Sequence, residues 1–115
     1  MIPAWVVDKG SQMSCKSDMS MQHACLIVSS KKIISAGVNR HGTNRFAMKN
    51  GYAWSLHAEA MAIQKMEESG QHSKAHRYKM YIMRFSKKGE LMPSEPCIKC
   101  KQLIESSGIR KVIWS

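Results

Sequence analysis

Acidic side chains are scarce in this sequence: 8 Asp and Glu stand against 18 Lys and Arg, a net charge of +10 with histidines neutral. A surface so charged disfavours cationic partners and attracts anions such as nucleotides or polynucleotides at low salt. The shortage is also local, because no Asp or Glu occurs between Asp18 and Glu59 or between Glu68 and Glu90. Lys31, Lys32, Arg40, Arg45 and Lys49 occupy the first gap, and Lys74, Arg77, Lys79, Arg84, Lys87 and Lys88 the second. Such runs serve equally well as the solvated loops of a basic protein, so charge alone names a class of partner and no function.

Long apolar runs are missing as well. Nothing approaches the roughly 18 to 20 residues of a membrane span, and the opening Met1-Ile2-Pro3-Ala4-Trp5 lacks the basic-then-apolar order of an export signal. A soluble, cytoplasmic protein without a membrane partner is the expectation. Internal repeats and low-complexity tracts are absent too, which excludes a solenoid. With 115 residues, 43% of them hydrophobic, a single domain over residues 1–115 is expected. The 4 cysteines (Cys15, Cys25, Cys97 and Cys100) come without an export signal, which favours metal or redox chemistry over a disulfide framework.

The elements follow from periodicity and stop signals. Ser11 to Met21 is a helix candidate. Ala24–Val28 and Ile33–Val38 are β-rich runs joined by Ser29-Ser30-Lys31-Lys32, which predicts a hairpin. Residues 39 to 54 read as a loop. Ser55 can cap a helix reaching about Ser69, with Gly70 as its stop. Met80–Phe85 is a strand, Pro96 opens a helix that Gly108 ends, and Lys111–Trp114 is a last strand. The order is αββαβαβ, and the final crossover predicts two parallel strands.

Chemistry concentrates at two helix starts: His57-Ala58-Glu59, and Pro96-Cys97-Ile98-Lys99-Cys100. Cys97 and Cys100 are three apart, so both sulfurs share one helix face. The helix N-termini favour thiolates and should lower their pKa values. One imidazole and two thiolates give zinc three protein ligands and leave a fourth position open, the mark of a catalytic site. Glu59, at i+2 from His57, does not share its face and is better placed to reach a water than the metal.

These residues resemble the cytidine and deoxycytidylate deaminase family, whose signature is H-x-E followed by P-C-x-x-C. The likeness extends over residues 24 to 114 and includes Gly37-Val38-Asn39, similar to the family's G-x-N segment. It implies a three-layer α/β/α sandwich with a mixed sheet, compact and short at its C-terminal end, since many members continue past the strand that ends here. It further implies one zinc per chain held by His57, Cys97 and Cys100, with Glu59 as the catalytic proton shuttle. The implied reaction is hydrolytic deamination, in which zinc-activated water attacks the carbon bearing the exocyclic amine. Asn39 and Ala58 are expected at the substrate, as are Trp54 and His41 from the preceding loop.

A cytosine-type nucleotide or nucleoside is the favoured substrate. The alternative is cytosine or adenine within single-stranded DNA, RNA or tRNA. Glu95-Pro96-Cys97 also resembles the E-P-C of tRNA adenosine and guanine deaminases, which keeps purines open. An unclosed edge strand makes a homo-oligomer the expected assembly. Competing readings are a thiol redox pair at Cys97 and Cys100, a structural zinc module completed by His72 and His76, and a non-catalytic zinc-stabilised nucleic-acid-binding module. Cys15 and Cys25 read as small packing residues, and the 10 methionines as adaptable core filler.

Overall fold

The computed structural model describes residues 1–52 and 54–115. Its elements are α1 (Ala4–Ser14), β1 (Gln22–Ser29), β2 (Lys32–Val38), β3 (Arg40–His41), α2 (Arg45–Lys49), β4 (Ser55–Leu56), α3 (Ala58–Glu68), a 3-10 segment (His72–Arg77), β5 (Lys79–Phe85), β6 (Leu91–Met92), α4 (Ile98–Ser107) and β7 (Lys111–Trp114). β1 lies between β2 and β5 and is antiparallel to both. On the far side of β5, β7 runs parallel along Lys79–Ile82 and the short β6 antiparallel along Arg84–Phe85. The expected parallel crossover is therefore present, in a mixed five-stranded sheet.

Alternation along the central strands divides the core in two. Cys25, Ile27, Met80 and Ile82 face α3 and α4, where they meet Ala62, Ile63, Met66, Leu103 and Ile104. Ala24, Leu26, Val28, Tyr81, Met83 and Phe85 point to the opposite face and pack with Val6 of α1. A sheet with one apolar stripe per face and helices over both is the α/β/α sandwich. Of the methionines, Met66, Met80 and Met83 fill this core, whereas Met21 and Met48 are exposed.

The first helix lies earlier than the sequence pattern suggests. Pro3, extended at φ −60° and ψ 148°, precedes it, and its carbonyl accepts from the N–H groups of Val6 and Val7. Val6, Gly10 and Ser14 form its buried stripe at i, i+4 and i+8. Two valines and a glycine are poor helix formers, so this helix owes its place to packing more than to propensity. A Cβ on Gly10 would stand 2.6 Å from Met83 Cε, which shows how closely α1 lies on the sheet. Gly108 ends α4 as expected, in the left-handed region at φ 90°.

Residues 39–54 contain more order than a loop. Asn44 caps α2 by accepting from Ala47 N–H at 2.8 Å, and β3 pairs with β4 through Arg40–Leu56 and His41–Ser55. Ser55 is accordingly a strand residue. The capping position of α3 belongs to His57, which is extended at φ −84° and ψ 145°.

Candidate active site

Two helix starts converge. His57 stands at the capping position of α3 and Cys97 at that of α4, both with extended backbone, and Cys100 follows in the first turn of α4. His57 Nδ1 lies 3.3 Å from Cys100 Sγ and 3.8 Å from Cys97 Sγ. All three donor atoms fall within 4.8 Å of one another. Among the described residues they form the one cluster of three or more His, Cys, Asp or Glu side chains able to share an ion. His72 and His76 stand apart from it, in a groove of about 780 Å³ lined also by Arg110 and Trp114, which shares no residue with the cluster.

The spacing can be tested against zinc chemistry. Tetrahedral bonds of roughly 2.0–2.1 Å to nitrogen and about 2.3 Å to sulfur place the donors on the order of 3.6–3.8 Å apart. The observed nitrogen-to-sulfur separations lie within about 0.3 Å of those values, and the chemistry of the donor set, one imidazole and two thiols, fits a zinc ion.

Glu59, the second residue of α3, is only 4% exposed. It lines a cavity of about 220 Å³ with Asn39, His57, Ala58, Cys97, His23 and Glu95. The helix start is fixed from behind by Gly37 of β2. A Cβ there would meet Ala58 O at 2.6 Å, Met61 Cβ at 2.7 Å and Ala62 N at 2.8 Å, so only a glycine lets α3 come this close to the sheet. On the other side, Ser94 anchors the approach to Cys97. Its hydroxyl donates to Ile82 C=O at 2.9 Å, and its N–H donates to Ser115 C=O at 2.8 Å.

The other expected contacts separate. Asn39 borders the cavity, but its amide is engaged within the chain: Oδ1 accepts from Ser17 Oγ at 2.7 Å and His23 N–H at 2.9 Å, and Nδ2 donates to Met21 C=O at 2.7 Å. Trp54 is 88% exposed and lines a second cleft of about 310 Å³ with Tyr52, His57, Cys97, Ile98 and Lys99. His41 borders none of these cavities; its N–H donates to Asp18 at 2.9 Å and its ring is 3.2 Å from the same carboxylate.

Electrostatics at the site run against one expectation. Burial first, then the charge of Glu59, pushes the Cys100 thiol above its ordinary range, where the helix start alone would favour the thiolate. The same two causes raise Cys25 of β1. Burial also raises the Tyr52 phenol, helped by its bond to Cys100.

His23 was not expected in the cavity, although it shares strand parity with Cys25 and Ile27 and so faces α3. Desolvation lowers its pKa below 6.5, against a smaller raising effect of Glu59. A histidine with a depressed folded pKa takes up its proton more readily when unfolded. Its contribution to stability is therefore present above about pH 6.5 and is lost as pH falls below that value. Urea titrations at a series of pH values should show this decline, and His23→Gln should flatten it; an unchanged profile in the variant would rule His23 out as its source.

The fold and these donors together are those of the cytidine deaminase class. A cytidine deaminase from Burkholderia pseudomallei superimposes with a TM-score of 0.66, covering 94% of this chain and 78% of that one at 14% identity. The deoxycytidylate (dCMP) deaminase of cyanophage S-TIM5, in complex with dCMP and dUMP, gives 0.60 at 20% identity, covering 99% and 83%. Guanine deaminase from Bacillus subtilis gives 0.60 at 18% identity, covering 100% and 64%. No curated protein sequence matches the chain. Residues 5–115 match the family model described as the cytidine and deoxycytidylate deaminase zinc-binding region, and the chain belongs to that family.

Proposed function

We propose that this protein is a zinc-dependent hydrolytic deaminase of a cytosine-type nucleotide or nucleoside. The observation that carries the reading is the buried Glu59 carboxylate in the same cavity as His57 and Cys97. His57, Cys97 and Cys100 would hold the zinc, whose Lewis acidity makes water a nucleophile near neutral pH. Glu59 would take both of the water's protons in turn, passing the first to the ring nitrogen and the second, released as the carbonyl forms, to the departing amine. A bond forms between the water oxygen and the amine-bearing ring carbon, the carbon–nitrogen bond breaks, and ammonia leaves with the carbonyl product. Met19, Met21 and Asn39 complete the lining of that cavity.

Asn39 and Ala58 remain the assigned substrate contacts in the cavity, Asn39 acting with an amide already oriented by Ser17 and His23. The basic stretches suit a phosphate-bearing substrate. The phage enzyme that shares this fold was crystallised with dCMP and dUMP, which supports the nucleotide over the free base.

A second reading, deamination within single-stranded nucleic acid, is favoured by one feature. Trp54 and Ile98, 88% and 73% exposed, stand beside Lys99 at the rim, an arrangement suited to stacking a neighbouring base.

The test offers zinc-loaded protein cytosine, adenine and guanine as bases, nucleosides, nucleotides and single-stranded oligonucleotides, with amine-to-carbonyl conversion followed by mass spectrometry. Conversion of cytosine nucleotides or nucleosides ahead of oligonucleotides is expected. Oligonucleotide conversion that collapses with added salt would transfer the assignment to the second reading. Folded, zinc-loaded protein that converts nothing would overturn both.

A further inference from the structure

Tyr52 is buried in the loop that follows α2, and its phenol oxygen lies 3.0 Å from Cys100 Sγ. Its ring stands 4.7 Å from the His57 imidazole at an interplanar angle of 54°. One side chain thus touches two of the three donors. The backbone beneath it is pinned on both sides: its N–H donates to Ala47 C=O at 2.8 Å, and its carbonyl accepts from Thr43 Oγ at 2.7 Å. Filling the core asks only for the ring, whereas a buried hydroxyl requires a partner. Here that partner is the more deeply buried of the two cysteines.

We infer that Tyr52 is a positioning residue for the metal, its hydroxyl donating to the Cys100 thiolate while its ring fixes the plane of His57. The inference rests on the metal reading above. A thiolate bound to a cation carries no proton and can only accept, and a phenol supplies the O–H. Such a bond draws electron density from the sulfur, so less is donated to the ion and more of its Lewis acidity remains for water. Partners of this kind orient ligands and tune the metal they serve. The ring contact acts on the other arm, limiting rotation of the imidazole so that Nδ1 stays directed at the two sulfurs.

The experiment compares wild type with Tyr52→Phe, which keeps the ring and removes the donor. Zinc affinity is measured by competition with a chromophoric chelator, and the sulfur-to-metal charge-transfer band is recorded on cobalt(II)-substituted protein. The variant should bind zinc about 10–100-fold more weakly. Its charge-transfer band should move to lower energy, because a thiolate without its hydrogen bond gives up an electron more easily. Equal affinities and superimposable bands would overturn the inference while leaving the metal reading intact. A wild type that takes up neither metal would overturn the metal reading and this inference with it. Should Tyr52→Phe fail to fold, cadmium-113-loaded wild type decides by NMR: coupling between the Tyr52 hydroxyl proton and the metal supports the bond. A hydroxyl proton that exchanges freely with solvent refutes it.

Discussion

Glu59→Gln is expected to retain fold and zinc while losing deaminase turnover by about 10³-fold, within the 10²–10⁴ range of a well-placed acid–base group. The amide matches the carboxylate in shape, so packing at the start of α3 should survive, yet it cannot accept and return a proton. Glu59 is buried within the cavity and is not among the clustered metal donors. Metal content should therefore be indifferent to the change. Single-turnover kinetics on the preferred substrate, with zinc measured on the same samples, check both halves. Near-normal turnover would remove Glu59 from the mechanism, and loss of zinc would recast it as a ligand.

The second large effect lies behind the site. Gly37→Ala should destabilise the fold by about 1–3 kcal/mol, the usual cost of overpacking. Two of the three atoms its Cβ would meet, Ala58 O at 2.6 Å and Ala62 N at 2.8 Å, belong to the α3 backbone and cannot rotate aside. The helix must move instead. Since Ala58 sits between His57 and Glu59, a shift there displaces both side chains proposed to act in the reaction, and a misplacement near 1 Å can cost on the order of 10²-fold in rate. Gly10→Ala is the control, because its new methyl would press on the flexible end of Met83. Denaturant midpoints and turnover for both variants test this. Equal, mild effects at the two glycines would show that α3 is not fixed through Gly37.

Much of the site is legible in the sequence because its donors are local signals. His57-Ala58-Glu59 and Cys97-Ile98-Lys99-Cys100 declare themselves by spacing, and the structure brings His57, Cys97 and Cys100 within reach of one another. The two core strands and the helices after them are legible for a similar reason, through alternation and stop signals. What escaped depends on partners distant in sequence. The two-residue strands β3 and β4 have no periodicity of their own and exist by pairing with each other. The first helix is held by the sheet beneath it, and its valines and glycine argue against it locally. Tyr52 reads as one loop aromatic among several until the chain returns 48 residues later to place Cys100 against it. His23 carried a usable clue, strand parity, that a residue-by-residue reading passes over.

The donors also divide unequally along the chain. Cys97 and Cys100 are near neighbours, whereas His57 lies 40 residues before Cys97, with β5 of the central sheet in the intervening chain. An unfolded chain could offer an ion the thiol pair alone. Full coordination requires the finished sheet, so a metal held by all three donors binds the native state preferentially and draws the folding equilibrium toward it. At a free concentration 100 times the dissociation constant, such linkage contributes about 2.7 kcal/mol, reduced by any affinity of the unfolded thiol pair. Thermal stability would then track metal supply, and the ion would serve as a clasp between the starts of two helices far apart in the chain.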